Sequence, residues 1–338
     1  MATFYGSWVR LASSPRLQRS SQILSISGSS ALIFGGELIA RQPVDNQFDV
    51  VELGDASVQA KTLPAPTLAP SPRVGTASSV LDKTIYLFSG RGGIAMDAID
   101  ESGCVWSYTP ASNQWSLIQP QPGSHPIPRS YHAMTSDGTS TLYLHAGCPA
   151  EGRLSDLWAF DFTSRVWTEL PGAPSPPRGG TSIAFCRGKL YRLGGFDGKT
   201  EQGGKLDVYD PEEKQWTSIT YAPDGSEGPE ARSVATLLAV RTPSGRDVLV
   251  SMFGERDPSS LGHAGAGKML TDVWAFDIEK EAWSLVKATG KDDLPAPRGW
   301  FDADTLKQST GDAIIVHGGL AEDNSRLGDV WRLDIQDE

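Results

Sequence analysis

The sequence predicts an all-β fold in which one unit of roughly 50 residues is repeated six times and closes into a ring, a six-bladed β-propeller. Three observations support this prediction. The 338-residue chain contains 36 glycines, 23 prolines and 10 tryptophans, which is typical of many short strands joined by turns. An apolar run ending in a glycine-containing pair recurs along the chain, and each pair is followed by a strand-like segment.

The repeated unit is visible in two sets of segments. The runs that end in the pair are LIFGG (32–36), IYLFSG (85–90), LYLHAG (142–147), LYRLGG (190–195), LVSMFG (249–254) and IIVHGG (314–319). The segments that follow them are FDVVEL (48–53), CVWSYT (104–109), DLWAFD (156–161), KLDVYD (205–210), DVWAFD (272–277) and DVWRLD (329–334). We interpret the two sets as the second and third strands of six blades.

The fourth strands decide how the ring closes. Trp115, Trp167, Trp216 and Trp283 mark them in blades 2 to 5, whereas the sixth unit has no fourth strand after its third. GSWVRL (6–11) has the form of a fourth strand, so we expect it to pair with the last blade and remove an exposed sheet edge. The whole chain, residues 1–338, is then one propeller with approximate blades 12–66, 67–120, 121–172, 173–222, 223–289 and 290–338 plus 5–11.

Composition restricts the partners and the compartment. A net charge of −11 and a pI near 5.0 argue against nucleic acid as a partner, because phosphate backbones need a basic face. No segment has the apolar length of a membrane span or of a signal-peptide core, so we expect no membrane association and a cytoplasmic location. Cys104, Cys148 and Cys186 are odd in number and widely spaced, which predicts free, structural thiols.

One arginine stands at the start of each predicted innermost strand: Arg19, Arg73, Arg129, Arg178, Arg232 and Arg298. In an antiparallel blade, this position shares a face with the loop between strands two and three, called the loop face here. The six arginines either form a cationic ring for an anionic ligand or bind backbone carbonyls of their own blades. Arg91 lies outside this pattern, directly after the second pair, and is therefore the more informative arginine.

The longest loop on the loop face is FGERDPSSLGHAGAGKM (253–269). Glu255 and His263 would be about 12 Å apart on a straight helix, too far to share a metal ion. Pro258 and the glycines favour a wrapped loop instead, in which Glu255, Asp257 and His263 could converge on iron(II), manganese or zinc.

Segments 254–286 and 294–304 (LPAPRGWFDAD), with IIVHGG and the N-terminal FGGEL (34–38), resemble the plant nitrile-specifier, epithiospecifier and thiocyanate-forming proteins. These are kelch-repeat propellers that act on glucosinolate aglucones with iron(II). The resemblance implies that Glu255 and His263 are metal ligands and catalytic residues. The family's middle ligand is an aspartate, but Ser259 occupies that position here, and Asp257 is the candidate to replace it.

The resemblance also implies a substrate site on the loop face. Its expected residues are Glu37 from FGGEL, Arg91 and Arg129 for an anionic group, and Trp300 as an aromatic wall. We therefore expect a lyase or isomerase of specifier type in secondary metabolism, assisted by Fe(II). Two alternatives stay open: a metal-free cyclase or isomerase in which Glu255 or His263 transfers protons, and a non-catalytic kelch module that binds a protein partner.

Overall fold

The structure is a computed structural model that describes residues 3–54, 60–262, 265–289 and 294–338. Within these residues the main strands form six four-stranded antiparallel blades. In each blade, neighbouring strands follow one another along the chain, apart from the fourth strand of blade 6. This confirms the predicted all-β propeller and agrees with the predicted number of blades.

The strands have the following bounds. Blade 1 contains Ser20–Ser27, Ser30–Ile39, Phe48–Glu52 and Ala60–Leu63; blade 2 contains Ala77–Leu81, Thr84–Phe88, Val105–Thr109 and Gln114–Ile118. Blade 3 contains Ala133–Ser136, Thr141–Gly147, Leu154–Asp161 and Val166–Leu170; blade 4 contains Ser182–Cys186, Lys189–Leu193, Lys205–Asp210 and Gln215–Thr220. Blade 5 contains Thr236–Arg241, Asp247–Met252, Val273–Asp277 and Ala282–Thr289; blade 6 contains Asp302–Leu306, Ala313–His317, Asp329–Asp337 and Phe4–Ser13.

Short elements connect these strands. The two-residue strands are Gln42–Pro43, Arg73–Val74, Arg91–Gly92, Asp97–Ala98, Glu255–Arg256 and Lys268–Met269, and single 3₁₀ turns lie at Pro15–Leu17 and Pro110–Ser112. In the described part of the chain, no helix is long and apolar enough to cross a membrane.

The N-terminal strand closes the ring as expected. Phe4–Ser13 pairs antiparallel with Asp329–Asp337, and its first residues also pair in parallel with Val286–Thr289 of blade 5. Blades 5 and 6 therefore share one continuous sheet through this strand. Because Phe4–Ser7 pair on both edges, this part of the strand leaves neither edge open for pairing with another chain.

Aromatic side chains hold neighbouring blades together. Trp115 of blade 2 stacks on Phe48 of blade 1 with ring centroids 5.4 Å apart, and Trp167 of blade 3 meets Phe88 of blade 2 at 5.7 Å. Trp8, in the N-terminal strand that completes blade 6, makes the corresponding contact with Phe253 of blade 5, with ring centroids 5.8 Å apart. The fourth-strand tryptophans thus serve the inter-blade core, where burial of large rings contributes most.

The six repeated arginines are buried structural residues. Each is at most 6% exposed, and each donates a hydrogen bond to the carbonyl of the first residue in its own glycine-containing pair. The arginines therefore bind their own blades, and the alternative of a cationic ring for a ligand is not what the structure shows.

Carboxylates neutralise five of these guanidinium groups at distances of 2.5 to 2.9 Å. The pairs are Arg19–Asp49, Arg73–Glu101, Arg129–Asp156, Arg232–Asp272 and Arg298–Asp329. In four of them a third-strand tryptophan donates its indole N–H to the same carboxylate: Trp106, Trp158, Trp274 and Trp331. One buried network therefore ties the first strand of a blade to its third.

Blade 4 departs from this arrangement. Asp207 pairs with Arg192 of the second strand, and no carboxylate of the described residues forms an ion pair with Arg178. Burial, together with the nearby Arg192 charge, lowers the pKa of Arg178 to about 10. The repeated arginine is thus present in blade 4 as well, although the carboxylate of this blade pairs with a different arginine.

A closed ring of backbone hydrogen bonds surrounds the channel at the loop face. Two residues after each repeated arginine the backbone has positive φ, at Ser21, Gly75, Tyr131, Gly180, Val234 and Trp300. The N–H of each of these residues donates to the carbonyl of the equivalent residue in a neighbouring blade, at 2.7 to 3.1 Å. Positive φ is rare for residues with a side chain, and especially for valine. The hydrogen bonds that close the six-bladed ring therefore impose this backbone conformation.

The arginine–carboxylate network makes a prediction about stability. Asp329→Ala should lower the free energy of unfolding by about 3–5 kcal/mol, because it leaves the guanidinium of Arg298 buried without a counter-charge. Chemical denaturation measures this loss. Glu279→Ala, which removes a largely exposed partner of Arg187, is the control and should cost less than about 1 kcal/mol. Equal effects of the two substitutions would contradict the assigned role of the buried pair.

Candidate functional site

A cationic pocket of about 120 Å³ lies at the loop face, between the loops of blades 1, 2, 3 and 6. Tyr131 and Trp300 line both this pocket and the central channel, a cavity of about 540 Å³, so they separate the two. The charged residues that line the pocket are Glu37, Arg41, Arg91, Arg153 and Arg326.

Arg91 is half-buried on the blade 2 side of the pocket. Its Nε donates to the Ser130 hydroxyl at 2.7 Å, and its terminal nitrogens donate to the carbonyls of Met96 and Pro149 at 3.2 and 2.9 Å. Among the described residues, no carboxylate lies within ion-pair distance of it. Neutral oxygens therefore fix the orientation of this guanidinium and leave its charge uncompensated.

Arg153 and Arg41 extend the positive surface. Arg153 donates to the Gly152 carbonyl and lies 5.9 Å from the ring centroid of Phe196, while its buried Nε has no partner in the described part of the chain. Arg41 is exposed at the rim and donates to the Ala95 carbonyl at 3.4 Å. Neither has an acidic partner among the residues that the structure describes.

Glu37 and Arg326 form an ion pair across the junction of blades 1 and 6. Their side chains are 11% and 7% exposed, and a carboxylate oxygen lies 3.3 Å from the Arg326 terminal nitrogen. The other oxygen accepts the backbone N–H of Arg41 at 2.7 Å. Burial outweighs these interactions and raises the pKa of Glu37. The pair joins two loops that are distant in sequence into one pocket wall.

Tyr131 and Trp300 make the aromatic floor. Their rings meet edge to face with centroids 5.2 Å apart, and the Tyr131 hydroxyl lies 3.3 Å from that of Ser21. Both residues belong to the backbone ring described above. The floor is therefore attached to the most constrained part of the backbone.

The 253–269 loop reaches the pocket at Gly265. Glu255 is 5% exposed, and its carboxylate accepts the Gly267 N–H at 2.6 Å. Burial raises the pKa of Glu255, while hydrogen bonds from Gly267 and from the Trp300 side chain oppose the increase. This buried carboxyl therefore adjoins the aromatic floor.

The rest of the predicted metal set is not brought together in the described residues. The Asp257 side chain is 77% exposed and lies 3.7 Å from Arg256, and the Ser259 hydroxyl accepts the Leu261 N–H at 3.1 Å. His263 lies outside the described residues. Within them, no three His, Cys, Asp or Glu side chains form a group that could hold a metal ion. The described donors alone therefore do not fit an iron site.

Of the four expected substrate residues, Glu37, Arg91 and Trp300 line the pocket. Arg129 does not, and its assignment needs correction. It is fully buried and bound to Asp156 and to the carbonyls of Ala146 and Ile127. Because it is fully buried and does not line the pocket, its guanidinium cannot contact a ligand there.

Sequence reasoning missed Arg41, Arg153, Arg326 and Tyr131. The three arginines lie in loops that follow the first, third and sixth pairs. Like Arg91, each of these three arginines follows a glycine-containing pair and lies outside the repeat. The criterion that identified Arg91 therefore applies to them as well.

Glu201 is a further residue that sequence reasoning missed, in the corresponding loop of blade 4. Burial raises its pKa to about 7, and the charges of Glu255, Asp257 and Asp197 contribute. It therefore belongs to the same electrostatic surroundings as Glu255.

Comparison with known proteins gives the following similarities. The model of the KLHDC2/KLHL20/DRC7 Kelch-repeats domain matches residues 22–254. The N-(sulfonatooxy)prop-2-enimidothioate sulfolyase of Thlaspi arvense is 26% identical, with 97% of each chain covered. Adagio-like protein 3 of Oryza sativa subsp. japonica is 27% identical over 90% of this chain but only 46% of its own length. The chain thus spans nearly all of the first relative and about half of the second.

A solved structure described as the structure of YjhT has a similar fold. It aligns with a TM-score of 0.69 at 14% identity and covers 96% of this chain and 99% of its own. At this identity the likeness concerns the fold alone.

The raised pKa of Glu201 predicts a pH dependence of stability. A carboxyl with a raised pKa in the folded state stabilises the fold at low pH, and this contribution is lost as the pH rises from about 4.5 to about 7. Glu201→Gln should remove this contribution, so that the free energy of unfolding, measured by denaturation across that range, falls less with pH than in the wild type. Glu227→Gln, at an exposed glutamate in the connection between blades 4 and 5, is the control and should leave the wild-type decline unchanged. A decline of the same size in the Glu201→Gln variant would contradict the prediction.

Proposed function

We propose that this chain, which belongs to the KLHDC2/KLHL20/DRC7 kelch-repeat family, binds a small anionic molecule in the loop-face pocket and acts on it as a lyase or isomerase. The observation that carries this proposal is the set of pocket arginines without acidic partners. The sequence resemblance to kelch propellers is confirmed by the family match, and the similarity to the sulfolyase agrees with the resemblance to specifier-type proteins.

The pocket arginines differ from most of the repeated arginines in having no acidic partner. Five of the six repeated arginines have a carboxylate within 2.9 Å, because an uncompensated buried charge is costly. Arg91 and Arg153 are half-buried and have no such partner in the described part of the chain. A protein with a net charge of −11 has many carboxylates for such pairing, so we infer that the counter-charge at these two positions comes from a ligand.

The Thlaspi arvense relative supports an anionic ligand. By its name, that enzyme acts on an N-(sulfonatooxy) imidothioate, a molecule with a negatively charged sulfate ester. Guanidinium groups bind such oxyanions through charge-assisted hydrogen bonds. An anion of comparable size would therefore find suitable donors in this pocket.

The residues around the pocket supply the elements of an elimination or isomerisation. Arg91 and Arg153 would orient the anionic group and stabilise the charge that develops when its bond to the rest of the substrate breaks. Tyr131 and Trp300 would hold the apolar part of the substrate. Glu255 would transfer a proton, because its buried carboxyl adjoins the aromatic floor and burial raises its pKa, which makes the carboxylate a stronger base.

Iron(II) remains a proposal that depends on His263. If bound there with Glu255, the metal would act as a Lewis acid. Since the described donors do not complete its ligand set, the proton transfer proposed above does not depend on it.

A protein partner is the second candidate. Leu38 and Ile39 at the end of the second strand of blade 1, and Ile94 in the loop of blade 2, are 47%, 59% and 107% exposed, and exposed apolar side chains favour contact with another surface. The two candidates differ in where mutations act, at the pocket arginines or at this rim.

The proposal predicts binding of phenyl sulfate, a simple anionic probe, to the purified chain. Arg91→Ala and Arg153→Ala should each lower the affinity about tenfold, corresponding to one charge-assisted hydrogen bond of about 1.5 kcal/mol or more, as measured by isothermal titration calorimetry. Arg187→Ala is the control, since Arg187 lies in the hairpin at the opposite face and pairs with Asp247 and Glu279. No binding to the wild type, or equal losses in all three variants, would refute the pocket assignment.

Iron binding gives a separate prediction. If the 253–269 loop binds iron(II) in the manner of the resembling family, Ser259→Asp should retain more iron than the wild type after anaerobic loading, since a carboxylate is a better ligand than a hydroxyl. Elemental analysis measures the retained metal. The double variant Ser259→Asp/Glu255→Ala should lose the gain. Equal retention by the wild type and Ser259→Asp would show that the family's ligand pattern does not operate here.

A further inference from the structure

We propose that the loop-face pocket is built for a doubly charged oxyanion of the phosphate monoester class, in preference to a singly charged sulfate ester. This inference rests on the proposed function, because it concerns the ligand of the same pocket. It departs from the chemistry in the name of the Thlaspi arvense relative, whose sulfonatooxy group carries one negative charge.

The net charge of the pocket lining favours a doubly charged ligand. Arg41, Arg91, Arg153 and Arg326 line the pocket, and Glu37 is the one carboxylate among the described lining residues. Four positive charges and one negative charge leave an excess of three, of which the exposed Arg41 is the most readily screened by solvent. The two remaining charges match a dianion, whereas a monoanion leaves one buried or half-buried guanidinium uncompensated.

The neutral groups of the lining do not change this balance. Burial raises the pKa of the Cys148 thiol and of the Tyr131 hydroxyl, so both are uncharged near neutral pH. Glu37 is already bound by Arg326 and by the backbone N–H of Arg41. Its proton uptake at lower pH would only increase the positive excess.

The pocket arginines also have unused hydrogen-bond donors. The Nε atoms of Arg153 and Arg326 are buried and have no partner in the described part of the chain, and the Arg326 side chain is only 7% exposed. Buried donors are nearly always satisfied. Two unsatisfied guanidinium donors at one pocket therefore indicate a ligand rich in acceptor oxygens.

The compactness of the pocket favours one doubly charged group over two separate ones. The arginines come from blades 1, 2, 3 and 6 yet line a volume of about 120 Å³. Tetrahedral oxyanions present oxygens in several directions at once, which suits donors that converge from different blades. A phosphate monoester combines this shape with the required charge.

The test compares phenyl phosphate with phenyl sulfate, which share shape and apolar part but differ in charge. At about pH 8 the phosphate ester is a dianion, since its second pKa is about 6. Calorimetry on the whole chain at constant ionic strength should show at least about tenfold tighter binding of phenyl phosphate. Near pH 5.5, where the phosphate is mostly a monoanion, the ratio of the two affinities should fall toward one. Proton uptake by Glu37 at the lower pH would add positive charge to the pocket and favour the dianion, so it cannot account for a fall in the ratio.

Variants locate the second charge. Arg326→Gln and Arg153→Gln should each reduce the affinity for phenyl phosphate more than that for phenyl sulfate, and Arg187→Gln should change neither. Equal or tighter binding of the sulfate at about pH 8, or a preference for phosphate that is as large near pH 5.5 as at about pH 8, would overturn the dianion assignment and leave the proposed anion pocket standing. Failure of both probes to bind would overturn the proposed function and this inference together.

Discussion

The guanidinium of each repeated arginine is buried and needs hydrogen-bond acceptors, and the architecture of this propeller follows from that requirement. Each repeated arginine binds the glycine-containing pair of its own blade, and in five blades a carboxylate of the third strand or of the turn before it completes the network. The tryptophan N–H groups that share these carboxylates connect the network to the hydrophobic core. The entry to the first strand, the pair and the third strand are thereby held in register in these five blades.

The backbone ring at the loop face depends on this register. Six residues with positive φ close a circle of hydrogen bonds, although four of them have side chains. Such conformations persist only where the surrounding structure enforces them. Tyr131 and Trp300 occupy two of the six positions, so the ring that closes the propeller also places the floor of the pocket. Stability and site geometry therefore share one set of interactions.

The pocket concentrates arginines that have no acidic partner. Arg91 is oriented by neutral oxygens and Arg153 keeps an unused donor, whereas five of the six repeated arginines are neutralised by carboxylates and Arg178 is the exception. The fold by itself does not identify the activity, because one fold can carry unrelated functions. The uncompensated charge is a property of the site, and it therefore supports a function more directly than the family does.

The sequence by itself determined the repeat, the six blades and the closing strand, because strand alternation, glycine-containing pairs and tryptophan spacing are local patterns. It also identified Arg91, Glu37 and Trp300 as pocket candidates, but the tertiary structure decided between Arg91 and Arg129. Arg91 follows a strand and Arg129 precedes one, so each lies at a strand end. Asp156 neutralises Arg129 from 27 residues away, whereas no described carboxylate lies within ion-pair distance of Arg91. Glu37 and Arg326 meet across 289 residues. Which charges are compensated depends on such long-range neighbours, and these are set only when the ring closes.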